Sequence, residues 1–184
     1  MMLAHGPRRR LLAASGMAGA LIMASLVSAN VAGLRINGTP SMPRGLWQVV
    51  ADDTPLRRGE IVTVCPPDTM LIRLGAARGY IPAGRCPGGY EPLVKPIAAT
   101  VGDWVAVSAA GETVNGLPVQ GTAQLGHDSA GRLLPPFPAG TYRVRPGQVW
   151  LLSGHDPRSF DSRYFGPVPV ANVQGVARPV WVAR

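Results

Sequence analysis

The chain has 184 residues and a formal charge of +8, from 18 lysines and arginines against 10 acidic residues. Its 23 glycines and 19 prolines approach a quarter of the sequence, which excludes a helical bundle and points to short strands joined by turns in one domain-sized body. The basic balance does not imply a nucleic-acid partner, because the arginines are scattered and few aromatics stand beside them to stack on bases.

In chain order, Arg8, Arg9 and Arg10 precede the uncharged stretch LLAASGMAGALIMASLVSANVAGL, residues 11–34. A helix of that length reaches roughly 36 Å, enough to cross a hydrocarbon core of about 30 Å. The arginines before it place the amino terminus in the cytoplasm and everything after Leu34 on the outer side of the membrane. Val27-Ser28-Ala29 also fits a small-residue cleavage site, so a removable signal peptide stands as the alternative to a retained anchor, which is the preferred reading. Residues 1–34 are thus the basic amino-terminal region and membrane anchor, and 35–184 the exported body.

After the anchor, RINGTPSMPRG is short, polar and turn-forming. LWQVVA and EIVTVC then read as strands bracketing the loop DDTPLRRG. Asp68 is the expected cap of a short helix over TMLIRLGAAR, with Met70, Leu71, Leu74 and Ala77 on its apolar face and Gly79 as its stop. That helix lies between Cys65 and Cys86. An even cysteine pair in an exported protein reads as a disulfide, worth roughly 3 kcal/mol for a loop of about 20 residues. No histidine among His5, His127 and His155 stands at ligand spacing from either cysteine, so no metal site is expected, and no cofactor.

Farther along, WVAVSA and ETV-NG-LPV read as paired strands with Asn115-Gly116 in a type I′ hairpin turn. Residues 121–138 read as an irregular excursion. Strand signals return in TYRVR, QVWLLS and GVARPVWVAR.

Lys95 is the one lysine; the other 17 basic residues are arginines. Arginine stays protonated at any pH a protein meets, whereas a buried lysine amine can be neutral and act as a base. In NGTPSMPRGLW, Ser41 sits among Pro40, Pro43 and Gly45, a stiffened setting that suits a nucleophile and equally describes a proline-rich turn.

Taken together, Ser-Met-Pro just after an anchor, Lys95 followed by Gly102-Asp103, and GHDPRSFDSRYFGPVP near the end resemble the type I signal peptidases. The likeness is closest to their TraF-type branch, which serves conjugative transfer and carries the pattern T-x-S-x-P-x-G-L with a cysteine pair ahead of the lysine. The resemblance spans about residues 37–178. It implies a mainly β, LexA-like barrel-type catalytic domain with one short helix. By it, Ser41 is the nucleophile and Lys95 the general base of a Ser-Lys dyad, and Thr39 joins the Ser41 N–H as an oxyanion donor. Ser159 orients the lysine, and Asp161 with Arg163 braces the site. The pattern departs from the family wording at His155-Asp156, where Asp-Asn is common, and at Pro96, where an arginine often follows the lysine. His155 itself reads as an exposed loop histidine.

The chemistry sets a physical demand. A lysine near pKa 10.4 is neutral in only about one molecule in a thousand at pH 7.4, so its pKa must fall by about three, a preference worth roughly 4 kcal/mol. Leu93, Val94, Ile97, Ala98 and Ala99, with Pro92 and Pro96, offer the dry surroundings that would do this, and Glu91 is the one acid near in sequence.

The reading is therefore a membrane-associated serine endopeptidase facing the periplasm. By the resemblance its partners are an exported pre-protein or pro-pilin and other components of a conjugation apparatus. The alternatives are a general type I signal peptidase, a LexA-like autoprotease, which acts in the cytosol without an export segment, and a non-catalytic periplasmic scaffold.

Overall fold

The computed structural model describes residues 23–24, 28, 32–52 and 54–183. The membrane segment expected over 11–34 therefore lies, except for a few positions, outside the described residues. Among those that are described, no helix is long and apolar enough to cross a membrane.

The body is mainly β. Its strands are β1 (Leu34–Asn37), β2 (Gly45–Val50), β3 (Ile61–Val64), β4 (Leu93–Ala99), β5 (Trp104–Ser108), β6 (Gly111–Val114), β7 (Leu117–Pro118), β8 (Gly140–Arg143), β9 (Gln148–Leu151), β10 (Val168–Pro169) and β11 (Val173–Val182). Seven form one antiparallel sheet in the order β1-β2-β11-β3-β4-β9-β10, and four form a second in the order β7-β6-β5-β8. The larger sheet stays open, with β1 and β10 as its edges. Register shifts at Val173/Gly175 and Pro179/Trp181 in β11 and at Ile97/Ala99 in β4 bend it, since an extra residue on one strand sharpens the local twist.

The strands expected from alternation are present, along with three that were not, β1, β4 and the two-residue β10. β1 starts at Leu34, the end of the stretch read as anchor, and runs into the segment read as turn, and β4 carries two prolines at or beside it. Pro96 is tolerated within β4 because the ladder continues on its neighbour: Ile97 N–H donates to Glu60 O at 2.8 Å and Gly59 N–H donates to Ile97 O at 2.8 Å. Alternation along β4 then turns Lys95, Ile97 and Ala99 inward. At the hairpin between β6 and β7, Asn115 (φ 51°) and Gly116 (φ 80°) both take the left-handed conformation that a type I′ turn requires.

The helix α1 (Met70–Ala77) differs from expectation in its cap and its face. Thr69, not Asp68, caps it, accepting from Ile72 N–H at 3.3 Å, while Asp68 pairs with Arg73 at 2.8 Å on the surface. The buried positions are Ile72 and Gly75, and Met70 is exposed. Gly75 explains the rotation: a Cβ there would lie 2.7 Å from the Phe160 ring, so the helix approaches that ring through its glycine and not through its leucines. Gly79, at φ +77°, ends the helix as anticipated. A second helix of one turn, α2 (Ser162–Phe165), and a 3-10 turn at Val170–Asn172 were not foreseen.

Cys65, just after β3, is bonded to Cys86, closing a loop that contains α1. The main core packs Ile72, Ile97, Leu151, Phe160 and Tyr164 between α1 and the large sheet, and a second core centred on Val105 and Trp150 holds the small sheet. Residues 121–138 contain no strand, only a single bridge between His127 and Leu133, and they fold back along α1. They are tied there by Arg78, which donates to Leu133 O at 2.7 Å, and by Asp128, which receives Tyr80 OH and the Arg132 guanidinium.

Candidate active site

The site begins with Lys95, held by β4 with its side chain inward and 3% exposed. Its Nζ donates to Ser159 Oγ at 2.8 Å. Burial pushes the amine down from 10.5 to about 8; Asp161 opposes the fall, Arg163 adds to it and Asp156 opposes it. The environment thus goes most of the way to what a lysine base needs near neutrality. The acids that resist it come from residues 156–161, far along the chain, and not from Glu91.

Ser41 borders the same cleft of about 440 Å³ as Lys95 and is itself buried. It sits at the tip of the turn between β1 and β2. Ser153, just past β9, donates its hydroxyl to the Ser41 carbonyl oxygen, which fixes the backbone of that turn. Thr39 Oγ1 lies 3.2 Å from Ser41 Oγ. The Thr39 hydroxyl also donates to Asn37 Oδ1 at 2.8 Å, so stabilising an oxyanion would require it to release Asn37.

Asn37 is the organising residue that sequence reasoning passed over. Its amide Nδ2 donates to Thr39 O, Met42 O and Pro43 O at 3.0–3.1 Å, and its Oδ1 also accepts from Thr39 N–H. Trp47 Nε1 completes the clamp by donating to Pro43 O at 3.0 Å. One side chain therefore holds the loop that carries Ser41. The available signal was an asparagine two residues ahead of a threonine in a Gly/Pro-rich turn, the pattern of a side chain that bonds the backbone of its own loop. Replacing Asn37 with alanine orphans the Thr39 and Met42 carbonyls, leaves Pro43 O to Trp47 alone and frees the loop. The expected result is a fall of about 100-fold in kcat with KM little changed, because misplacing a reacting group by about 1 Å has that cost. A kinetic comparison with Asn37→Asp, which lacks the amide donor and should fail as well, checks this. A loss confined to KM would contradict it.

Beneath Lys95, Asp161 and Arg163 form a fully buried pair. Arg163 Nε and Nη2 reach the two carboxylate oxygens at 2.9 and 2.8 Å. Asp161 also caps α2 and accepts from Ser153 N–H at 3.0 Å. The remaining guanidinium protons go to the carbonyls of Ser153, Gly121 and Pro157 at 3.0–3.2 Å. Glu112 on β6, another residue the sequence did not single out, is buried nearby, and burial pushes its carboxyl up to about 7. Gln124 Nε2 links it at 3.3 Å to the carbonyls of Phe137 and Arg163, each at 3.5 Å.

The structure thus brings Thr39, Ser41, Lys95 and Ser159 to one cleft, with Asp161 and Arg163 under it. His155 joins them only through its backbone, whose N–H donates to Ser153 Oγ at 3.3 Å. Cys65 and Cys86 stand apart as a disulfide. Among the described residues no group of three or more metal-ligating side chains is assembled.

The family described as "Signal peptidase, peptidase S26" matches residues 8–182. The "Conjugal transfer protein TraF" of Agrobacterium fabrum is 39% identical over 166 residues, covering 90% of this chain and 92% of the relative. The "Probable conjugal transfer protein TraF" of Sinorhizobium fredii is 43% identical over 148 residues, covering 80% and 77%. The crystal structure of a signal peptidase I from Enterococcus faecalis aligns with 67% of this chain and 97% of its own at 20% identity, with a TM-score of 0.38, too distant to support an argument.

Proposed function

Because the chain belongs to the signal peptidase family, peptidase S26, we propose that it is a membrane-bound serine endopeptidase working through a Ser41-Lys95 dyad, and that it matures a pilin-like subunit for conjugative transfer. The observation that carries the reading is the buried lysine: one amine in a dry cleft, held by Ser159 and brought to about 8, bordering the same space as Ser41.

In the reaction, Ser41 Oγ attacks the scissile carbonyl carbon while its proton passes to neutral Lys95 Nζ. The oxyanion of the tetrahedral intermediate is met by the Ser41 N–H and, once it lets go of Asn37, by the Thr39 hydroxyl. Collapse breaks the C–N bond, and the Lys95 ammonium returns the proton to the leaving amine. Water then attacks the acyl-enzyme carbonyl as Lys95 again takes a proton, and collapse breaks the C–Oγ bond while the Lys95 ammonium returns that proton to Ser41 Oγ, releasing the new carboxyl terminus. Ser159 holds the amine in place through both halves. Asp161 and Arg163 keep the segment carrying Ser159 and Ser153 rigid.

The role in conjugation is drawn from the relatives' names. Location at the membrane has support in the chain itself: Ser41 stands only seven positions after Leu34, where the apolar stretch ends. Ile36, Leu46 and Trp181 also lie in register across β1, β2 and β11, with Ile36 84% and Trp181 77% exposed. Such an apolar row beside an anchor suits contact with the bilayer interface, where tryptophan is favoured. Trp181→Asp should reduce partitioning onto vesicles of a chain beginning at residue 32. Unchanged partitioning in a flotation assay would remove this support.

The direct test of the function is incubation of the full chain in detergent with a pilin precursor. Cleavage that disappears in Ser41→Ala supports the reading, and processing that persists in that variant points to a scaffold role. Equal cleavage of unrelated pre-proteins would favour a general signal peptidase.

A further inference from the structure

The four-stranded sheet ends on β8 and the seven-stranded sheet ends on β10. These two edges are not alike. β10 carries Pro169, which has no N–H to offer, whereas β8 holds no proline, and among the described residues nothing pairs with its outer edge. An open strand edge presents a row of unmet backbone donors and acceptors. Beside β8 lies a groove of about 700 Å³, away from Ser41 and Lys95.

The lining of this groove has a definite chemistry. Phe137 and Tyr142, both half-buried, form an aromatic shelf with ring centres 5.2 Å apart, backed from beneath by the buried Trp150 ring. Arg143 and Arg145 are exposed at its margin, and Pro167 lines it as well. No aspartate or glutamate borders the groove. The closest acid in sequence, Asp103, is already engaged by Thr100, Asn115 and Arg58. Among the described residues neither Arg143 nor Arg145 is in an ion pair; the Arg143 guanidinium lies 5.9 Å from the centre of the Trp104 ring.

We propose that this groove is a docking site for an extended acidic segment of a partner protein, which adds as a strand to the free edge of β8, sets an apolar side chain on the Phe137-Tyr142 shelf and pairs its carboxylates with Arg143 and Arg145. Main-chain bonding to an edge strand supplies affinity without regard to sequence, and the shelf and the arginines supply the selection. An anionic lipid headgroup would satisfy the arginines but leave the strand edge unmet; a protein strand satisfies both. The proposal is independent of the peptidase reading, since the groove shares no residue with the Ser41-Lys95 cleft.

The test uses the full chain in detergent, carrying Ser41→Ala so that no probe is cut. The probe is a fluorescein-labelled peptide of about eight residues alternating glutamate and valine around a central phenylalanine; a second peptide replaces every glutamate with lysine. The expected result is saturable binding of the acidic peptide that weakens with added salt, as exposed ion pairs do. Binding should fall at least about tenfold in the Arg143→Glu/Arg145→Glu double variant, where like charges now face each other. Both substitutions are at exposed positions, so the fold is retained, as circular dichroism would report. Hydrogen exchange should show new protection confined to β8 and the segment after it. Absence of binding, equal binding of the lysine peptide, indifference to the double variant, or protection elsewhere would each overturn the proposal. So would displacement of the peptide by anionic vesicles with the β8 amides left unprotected, which would assign the arginines to lipid.

Discussion

Lys95→Arg should abolish processing of the substrate, with a fall in kcat of about 1,000-fold or more, since a guanidinium has a pKa above 12 and cannot accept the serine proton. The substitution keeps charge and length, so the loss isolates the neutral amine as the requirement. The wild-type pH profile should carry the same signature. With the amine at about 8, its neutral fraction falls about tenfold for each pH step below that value. Acylation should therefore climb through neutrality and level off above about pH 8. Substantial turnover by the arginine variant, or a profile flat between pH 6 and 8, would be incompatible with lysine as the base.

The same lysine has a stability signature that also rises with pH, but over a higher range. Its pKa is lower in the folded chain, about 8, than the 10.5 of an exposed lysine, so between those values the unfolded chain binds the extra proton and stability rises with pH. Below about pH 8 both states are protonated and the full burial penalty, about 3 kcal/mol, is present. Lys95→Met removes that penalty. It should stabilise the chain at pH 7 by up to about 3 kcal/mol, less whatever the lost bond to Ser159 contributed, with the gain fading as pH approaches 10.5. An activity-destroying substitution that stabilises the fold is the mark of a site residue held against its own preference.

The second large effect is expected at Arg163. Arg163→Met leaves Asp161 as a fully buried carboxylate without its partner and orphans the Ser153, Gly121 and Pro157 carbonyls. Breaking a buried pair from one side costs about 3–5 kcal/mol. Denaturant unfolding should show a loss in that range, and a loss below about 1 kcal/mol would mean the pair is not the brace described. A second readout separates bracing from electrostatics. Arg163 helps to hold the lysine pKa down and Asp161 pulls it up, so removing the arginine should move the acid limb of the pH profile to higher pH in whatever fraction still folds.

Stability and catalysis meet in the segment from Leu151 to Phe165. Its Ser153 secures the turn that carries Ser41, its Ser159 holds the lysine, and its Asp161 and Arg163 lock the segment itself. It is irregular for most of its length, yet Ser153, Ser159, Asp161, Ser162 and Arg163 are all buried, which is affordable because each makes at least one hydrogen bond.

The amino-acid sequence by itself determined the β-rich character, the Asn115-Gly116 hairpin, the Gly79 helix stop and the pairing of Cys65 with Cys86. These are local matters: alternation, a turn that needs positive φ, and two thiols with no other partner. It also marked Lys95, because a lone lysine among arginines is visible without any fold. Only the tertiary structure decided that β4 tolerates Pro96 and turns Lys95 inward, that Gly75 and not the leucines faces Phe160, and that Asn37 and Ser153 clamp the Ser41 turn. Apart from the Asn37 clamp, whose bonds reach only two to six positions along the chain, those outcomes rest on contacts between residues that are distant in sequence, up to 112 positions apart for Ser153 and Ser41. The lysine shows the division most plainly: its identity is written in the chain, but its protonation is set by the burial and by the Asp161 and Arg163 charges that folding gathers around it.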